Sequence, residues 1–144
     1  MRIMGLDYGE KTVGVALSDE LLMTAQPFTT ITRERCNKLR KTYRELAEII
    51  AEYSVEKIVI GRPLNMNGTE GERVERTRQF ANELADKSGL EIVEVDERLT
   101  TVEADRILAE TGVAHSGRKE HIDKMAAAII LQTYLDSLKI KGTC

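Results

Sequence analysis

The N-terminal part of the chain has the hydrophobic patterns of β-strands. Residues 3–6 form an uncharged run that ends at Asp7, which is typical of a central strand buried on both faces. Residues 11–18 alternate with period two and follow a short link, so a second strand antiparallel to the first is predicted. Residues 25–31 are predicted to form a third strand. It should lie at a sheet edge, because Pro27 cannot donate a backbone hydrogen bond.

Helical and strand patterns alternate in the middle of the chain. Apolar positions recur at helical spacing over about residues 35–53 and again from a capping-box pattern at residue 69 to Gly89. Residues 57–60 and 90–95 are short, β-branched runs that predict two more strands. Strands that follow crossover helices are expected to be parallel to the first. We therefore predict an α/β fold with a mixed five-stranded sheet of order 3-2-1-4-5, strand 2 antiparallel, and flanking helices.

The C-terminal part of the chain is predicted to be helical. Capping-box spacing at residue 100 opens one helix, which should end near Gly112, and a last helix is predicted over about residues 119–140. The face of this last helix predicted to turn inward contains Ile122, Met125, Ala126, Ile129 and Thr133.

Composition and charge limit the classes of protein to consider. The 144 residues and 42% hydrophobic content fit one domain, residues 1–144, with a sizeable core. No apolar run reaches membrane-spanning length and there is no signal-peptide pattern, so no membrane partner is expected. The two cysteines have no disulfide or metal-ligand spacing, so a cytoplasmic protein is expected. The net charge of −3 means that any binding of nucleic acid must use local basic patches.

Acidic side chains are predicted to converge at one edge of the sheet. Strands 1, 4 and 5 should be parallel, and their carboxyl ends lead into Asp7, the 61–68 loop and Glu97. Ligands bind at this edge in open α/β sheets. Asp123, beside an alanine-rich stretch of the last helix, would be a third carboxylate there. Crowded carboxylates without a Cys/His cluster favour a hard cation with oxygen ligands, Mg²⁺ or Mn²⁺.

Simpler interpretations of the same residues stay open at this point. Asp7 also suits a turn beside Gly9, and Asp123 also suits the first turn of a helix, where the macrodipole favours an acid. A basic cluster near the predicted 35–53 helix is either a solvated face or a phosphate-binding surface. It comprises Arg33, Arg35, Lys38, Arg40, Lys41 and Arg44.

Several stretches together resemble the YqgF family of pre-16S rRNA nucleases, also described as Holliday-junction resolvase-like, with a ribonuclease H-like fold. The similarity runs from Gly5 to Asp136. Its motifs are residues 5–11, residues 14–19, Pro63-Leu64-Asn65-Met66-Asn67-Gly68, Asp96-Glu97-Arg98-Leu99-Thr100-Thr101, and Asp123 with Ala126-Ala127. The 63–68 and 96–101 blocks are the specific ones, whereas the Asp-x-Gly of residues 7–9 alone is weak.

The resemblance implies a metal-dependent endonuclease that processes the 5′ end of precursor 16S rRNA, presented in a pre-ribosomal particle. Asp7, Glu97 and Asp123 match the acidic active-site positions, where they would hold two Mg²⁺ or Mn²⁺ ions. The candidate substrate-binding residues are Lys11, Arg62, Asn65, Asn67, Gly68, Arg98 and Thr100.

The chain departs from related patterns at three positions. Thr12 stands where the family often has Arg, and Arg62 stands where an apolar residue is common. Resolvases of this fold carry a second acid one helical turn after the aspartate of the last helix, and here that position is Ala126. The alternatives are a Holliday-junction resolvase acting on DNA, a non-catalytic nucleic-acid-binding module, and an actin-like ATPase or sugar kinase, which would need two such domains.

Overall fold

The computed structural model of the protein describes residues 2–9, 11–33, 39–62, 72–96 and 115–142. These residues form a sheet with helices packed on both of its faces. Within these ranges no helix combines the length and the apolar character needed to cross a membrane.

The sheet has five strands in the order β3-β2-β1-β4-β5, as predicted. The strands are β1 (Arg2–Tyr8), β2 (Thr12–Ser18), β3 (Ala25–Thr32), β4 (Val55–Arg62) and β5 (Glu91–Asp96). The β1–β2 and β2–β3 pairs are antiparallel, whereas β4 runs parallel to both β1 and β5. The carboxyl ends of β1, β4 and β5 therefore meet at one edge of the sheet.

The described helices are α1 (Arg40–Tyr53), α2 (Glu72–Ser88) and α3 (His115–Gly142). Helix α1 begins later than the predicted residue 35, because Leu39 is its N-cap and is also where its apolar face starts. Helix α3 begins at His115, four residues earlier than predicted. The helix predicted from residue 100 to Gly112 lies outside the described residues.

Side chains of β1 alternate between two hydrophobic layers. Met4, Leu6 and Tyr8 point into a cluster that includes residues of α1 and α2. Ile3 points to the other side, into a cluster that includes Leu131 of α3. Because successive residues of a strand face opposite sides of the sheet, β1 is buried on both faces, as its uncharged sequence predicts.

Helix α2 packs through the residues that its sequence pattern indicates. Val74, Thr77, Ala81 and Leu84 recur at helical spacing in this stretch and are all buried. Phe80 is also buried and stacks on Tyr8 of β1, with ring centroids 4.3 Å apart. Gly89 ends the helix with φ of +71°, and its N–H donates to Ala85 O at 2.9 Å.

The inward face of α3 differs from the predicted one. Ala126 is buried as expected, but Thr133 is exposed and Ile122, Met125 and Ile129 are only partly buried. The residues that pack fully against the sheet and its surroundings are Ala127, Ala128, Ile130, Leu131 and Leu135. Apolar residues occur around much of this helix, so periodicity alone did not select the face.

Candidate active site

Asp7 lies near the carboxyl end of β1 and belongs to the face covered by α3. A Cβ atom on Gly5, two residues earlier, would lie 2.8 Å from the carbonyl oxygen of Ala127 in α3. Since residues i and i+2 of a strand share a face, the Asp7 side chain points to the α3 side of the sheet. This side chain is partly buried. The strand thus ends by presenting a carboxylate beneath the helix that carries Asp123.

Gly14 brings Asp123 next to Asp7. Gly14 is paired directly with Asp7 across the β1–β2 ladder, and opposite residues of an antiparallel pair lie about 4.5–5.5 Å apart between Cα atoms. A Cβ on Gly14 would lie only 2.0 Å from Asp123 O and 2.3 Å from Asp123 C. The α3 backbone therefore rests directly on Gly14. One glycine separates the two aspartates, which are far apart in sequence.

The two aspartates suit a hard cation. The Asp123 side chain is partly buried, with its Oδ2 shielded from water, and the Asp7 side chain is also partly buried. Both residues offer only oxygen ligands, as Mg²⁺ and Mn²⁺ prefer. Within the described ranges no group of three or more metal-ligating side chains occurs, and the third predicted ligand, Glu97, lies beyond them.

The turn after Asp7 is closed by backbone hydrogen bonds. Gly9 N donates to Thr12 O at 2.7 Å, and Arg33 N donates to Lys11 O at 2.8 Å. The Lys11 side chain, a predicted phosphate contact, is exposed on this turn. A ligand at the active edge can therefore reach Lys11 without any rearrangement of the core.

Arg62 lies at the carboxyl end of β4 but on the other face of the sheet. Ile58 and Ile60 point into the α1–α2 cluster, so alternation places Arg62 on that side too. Its Nη1 lies 4.0 Å from Oε2 of Glu94 on β5, and both side chains are about one-third exposed. Its predicted role in binding phosphate stays a prediction, and it requires the guanidinium to reach around the sheet edge from the face opposite Asp7.

Arg33 lies apart from the other described members of the predicted basic cluster. Arg40, Lys41 and Arg44 are exposed on α1, whereas Arg33 is buried under the β1–β2 turn. Sequence reasoning grouped them by charge and proximity. The signal that separates Arg33 is its position immediately after β3, where its backbone continues the ladder to Lys11.

The other predicted site residues lie outside the described ranges. They are Asn65, Asn67, Gly68, Glu97, Arg98 and Thr100. Their roles stay predictions.

Comparison with known proteins identifies the family. The sequence model of RuvX, described as Holliday junction resolvase, matches residues 1–137. The chain belongs to the RuvX family. A relative from Agathobacter rectalis named "Putative pre-16S rRNA nuclease" is 57% identical over 138 residues, covering 96% of each chain. A relative from Lachnospira eligens with the same name is 55% identical, covering 95% of this chain and 98% of its own.

Solved structures show the fold that this RuvX-family chain shares. Thermus thermophilus RuvC in complex with a Holliday junction substrate aligns with a TM-score of 0.62 at 14% identity, covering 96% of each chain. The fowlpox virus Holliday junction resolvase aligns with a TM-score of 0.52 at 14% identity, covering 96% of this chain and 99% of its own. The predicted ribonuclease H-like fold and the predicted YqgF resemblance are both confirmed.

Family membership also establishes the general class of reaction. The family model and the names of the relatives make the chain a nuclease, a hydrolase of phosphodiester bonds, as predicted. Family membership therefore favours the nuclease over the ATPase and sugar-kinase interpretation.

Proposed function

We propose that this RuvX-family chain is a metal-dependent endonuclease that processes the 5′ end of precursor 16S rRNA. The observation that carries the proposal is the contact of Asp123 with Gly14, directly opposite Asp7. Because this contact brings the Asp123 backbone beside the Asp7 strand, at the edge where α/β enzymes bind their ligands, it supports a site that uses both carboxylates. The relatives named "Putative pre-16S rRNA nuclease" support precursor 16S rRNA as the substrate.

Asp7, Asp123 and Glu97 would hold Mg²⁺ or Mn²⁺. In the sequence Glu97 lies two residues beyond Val95, whose side chain packs on the same cluster as Ile3 and Leu131. When bound, a pair of such ions lowers the pKa of a water molecule and neutralises charge on the phosphate that is cleaved. The protein's part would be to hold the carboxylates close together despite their mutual repulsion, and for Asp7 and Asp123 the strand pairing and the backbone contact of α3 with Gly14 support this role.

Basic residues beside the carboxylates would hold the phosphate backbone. Lys11 is exposed on the turn that follows Asp7, so its ammonium group can contact phosphate without leaving solvent. We propose the same role for Arg62 and Arg98, with Asn65, Asn67 and Gly68 approaching the substrate and Thr100 orienting Glu97. The net charge of −3 gives no global attraction for nucleic acid. Productive binding would therefore need a substrate presented within a pre-ribosomal particle.

Resolution of Holliday junctions is the second candidate, because the family model is described by that activity. Ala126 argues against it. This residue stands one helical turn after Asp123, where resolvases of this fold are expected to carry a second acid, and it is fully buried. A carboxylate there would lie in the helix–sheet core rather than near the substrate. We therefore propose precursor rRNA, rather than a DNA junction, as the main substrate.

The experiment compares two substrates under one set of conditions. Purified protein with Mg²⁺ is incubated with precursor 16S rRNA in pre-ribosomal particles and, separately, with a four-way DNA junction. We expect cleavage of the rRNA at its 5′ end and little junction resolution. Preferred cleavage of the junction would overturn the substrate assignment.

The variants Asp7→Asn and Asp123→Asn test the site itself. Both should lose cleavage while remaining folded. Asp136→Asn is the matched control, because Asp136 is exposed on the same helix and accepts a hydrogen bond from Gln132 at 3.0 Å. It should keep wild-type activity. Wild-type cleavage by Asp7→Asn would remove the proposed site.

A further inference from the structure

Arg33 is a buried cation that the proposed chemistry does not use. It follows β3 directly, and only 8% of the residue is exposed. Burying a charged side chain is costly unless specific partners compensate. The described contacts of this guanidinium identify the groups that stabilise it.

Three contacts join Arg33 to the turn that follows Asp7. Its Nη2 donates to the carbonyl oxygen of Gly9. Its backbone N–H donates to Lys11 O at 2.8 Å. Its Cζ lies 4.8 Å from the centroid of the Tyr8 ring, within the range of a cation–π interaction. One residue thus contacts three of the residues between Asp7 and β2.

The ring under Arg33 is itself fixed by an aromatic column. Tyr8 stacks on Phe80 of α2 with an interplanar angle of 23°. Phe80 stacks in turn on Tyr43 of α1, with ring centroids 5.4 Å apart and an interplanar angle of 15°. The Tyr43 hydroxyl donates to Glu83 Oε2 at 2.6 Å. Because both helices hold the column, Arg33 rests on a surface that cannot move independently of the core.

Arg33 acts from the face of the sheet opposite the carboxylates. Tyr8 points into the α1–α2 cluster, whereas Asp7, its neighbour in the strand, points toward α3. A guanidinium stacked on Tyr8 therefore lies behind the site. It is placed to hold the turn but not to contact a phosphate bound beside Asp7.

We propose that Arg33 is a positioning residue for the nuclease site. By holding the Gly9 carbonyl and the Tyr8 ring from behind the sheet, it fixes the turn that carries Lys11 and the end of the strand that carries Asp7. The proposal rests on the proposed role of Asp7. It requires an arginine, because a planar guanidinium stacks on a ring while it donates sideways, which a lysine ammonium does less well.

The test uses Arg33→Met, which keeps an unbranched apolar stem, and Arg33→Lys, which keeps the charge. The matched control is Arg2→Met. Arg2 lies at the opposite end of β1, and its Cζ lies 5.5 Å from the Tyr53 ring centroid. The same kind of contact is thus removed from the same strand, away from the site.

Four quantities are measured on each protein: kcat, the Mg²⁺ concentration for half-maximal cleavage, the salt dependence of rRNA binding, and the exchange rate of the Gly9 amide. In Arg33→Met we expect faster Gly9 exchange, a higher Mg²⁺ requirement, and kcat lowered by about 10–100-fold, since misplacement near 1 Å costs about that much. Arg33→Lys should fall between this variant and the wild type, and Arg2→Met should change kcat less than about twofold.

The salt dependence separates positioning from direct contact. Each lost phosphate contact lowers the slope of log K against log salt by about 0.7–0.9. Lys11→Ala should show this loss, whereas Arg33→Met should not, because Lys11 keeps its charge on an exposed turn. A loss of slope in Arg33→Met, or Gly9 exchange equal to that in Arg2→Met, would overturn the proposal.

Failure of the proposed function gives a different result. If Asp7→Asn cleaves rRNA normally, the site assignment fails whatever Arg33 does. The Gly9 exchange rate still reports whether Arg33 holds the turn, because that measurement needs no substrate. Unchanged kcat in Arg33→Met, with cleavage lost in Asp7→Asn, overturns the positioning role alone.

Discussion

Adding one methyl group at Gly14 should separate the two aspartates. The new Cβ would lie 2.0 Å from Asp123 O, 2.3 Å from Asp123 C and 2.9 Å from Lys124 N. All three are backbone atoms of α3, so no side chain can rotate away. Real Cβ contacts are essentially never shorter than 3.0 Å. The helix must therefore move from the sheet by at least about 1 Å at Asp123.

This displacement has two measurable consequences. Overpacking of a close contact typically costs about 1–3 kcal/mol of stability. A misplacement near 1 Å can also cost about 10²-fold in rate, when the displaced group positions the reactants. Gly14→Ala should therefore be destabilised and, at a temperature where it is folded, cleave about 10–100-fold more slowly. Its requirement for Mg²⁺ should rise, because one ligand has moved away from the other.

Gly5→Ala is the matched control. Its Cβ would lie 2.7 Å from Leu131 Cβ and 2.8 Å from Ala127 O, so it also forces α3 away from the sheet. Ala127 and Leu131 are four and eight residues beyond Asp123, about 6 Å and about 12 Å along the helix. We expect similar destabilisation in urea unfolding, but a much smaller loss of kcat. If Gly14→Ala keeps wild-type kcat and Mg²⁺ dependence, the reasoning that Gly14 sets the spacing of the aspartates is wrong.

The structure also predicts the response to the choice of metal ion, to the charge at Asp7 and to deprotonation of Tyr43. Mg²⁺ or Mn²⁺ should support cleavage and Ca²⁺ should support binding only, because Ca²⁺ accepts looser coordination; full activity in excess chelator would contradict this. Asp7→Asn should unfold at the same or a higher temperature than wild type in chelator, because it relieves repulsion with Asp123; a large loss of stability would count against crowded anions. Burial, with the hydrogen bond to Glu83, raises the pKa of Tyr43 above its usual 10.0. The folded state therefore holds this proton more tightly than the unfolded chain does, and the free energy of unfolding should fall as the pH rises above that value. Tyr43→Phe should show a smaller fall.

The strand order was predictable because local patterns determined it. Pro27 confined β3 to an edge, and the short link at residues 9–11 made β2 antiparallel to β1. Crossover helices then fixed the direction of β4 and β5. The same topology predicted that Asp7 lies at the ligand-binding edge. Gly14 has no side chain and so permits a close approach, but the sequence does not indicate which helix residue makes it.

The face of α3 and the burial of Arg33 were not predictable in the same way. Helix α3 is apolar around much of its surface, so packing selects Ala127 and Leu131 rather than Ile129. Arg33 precedes a run of basic residues and resembles them in sequence. It is buried because the turn offers it a carbonyl and an aromatic ring, contacts that depend on tertiary structure.

The 5′ end of 16S rRNA in cells shows whether this chain processes the precursor through Asp7. The gene is deleted and then replaced by the wild-type copy, by Asp7→Asn, or by the control Asp136→Asn, and the 5′ end is mapped by primer extension. We predict that the deletion strain accumulates precursor with an unprocessed 5′ end, and that the wild-type and Asp136→Asn copies restore the mature end whereas Asp7→Asn does not. Normal 5′ ends in the deletion strain would contradict the proposed rRNA processing, and rescue by Asp7→Asn would contradict the proposed site.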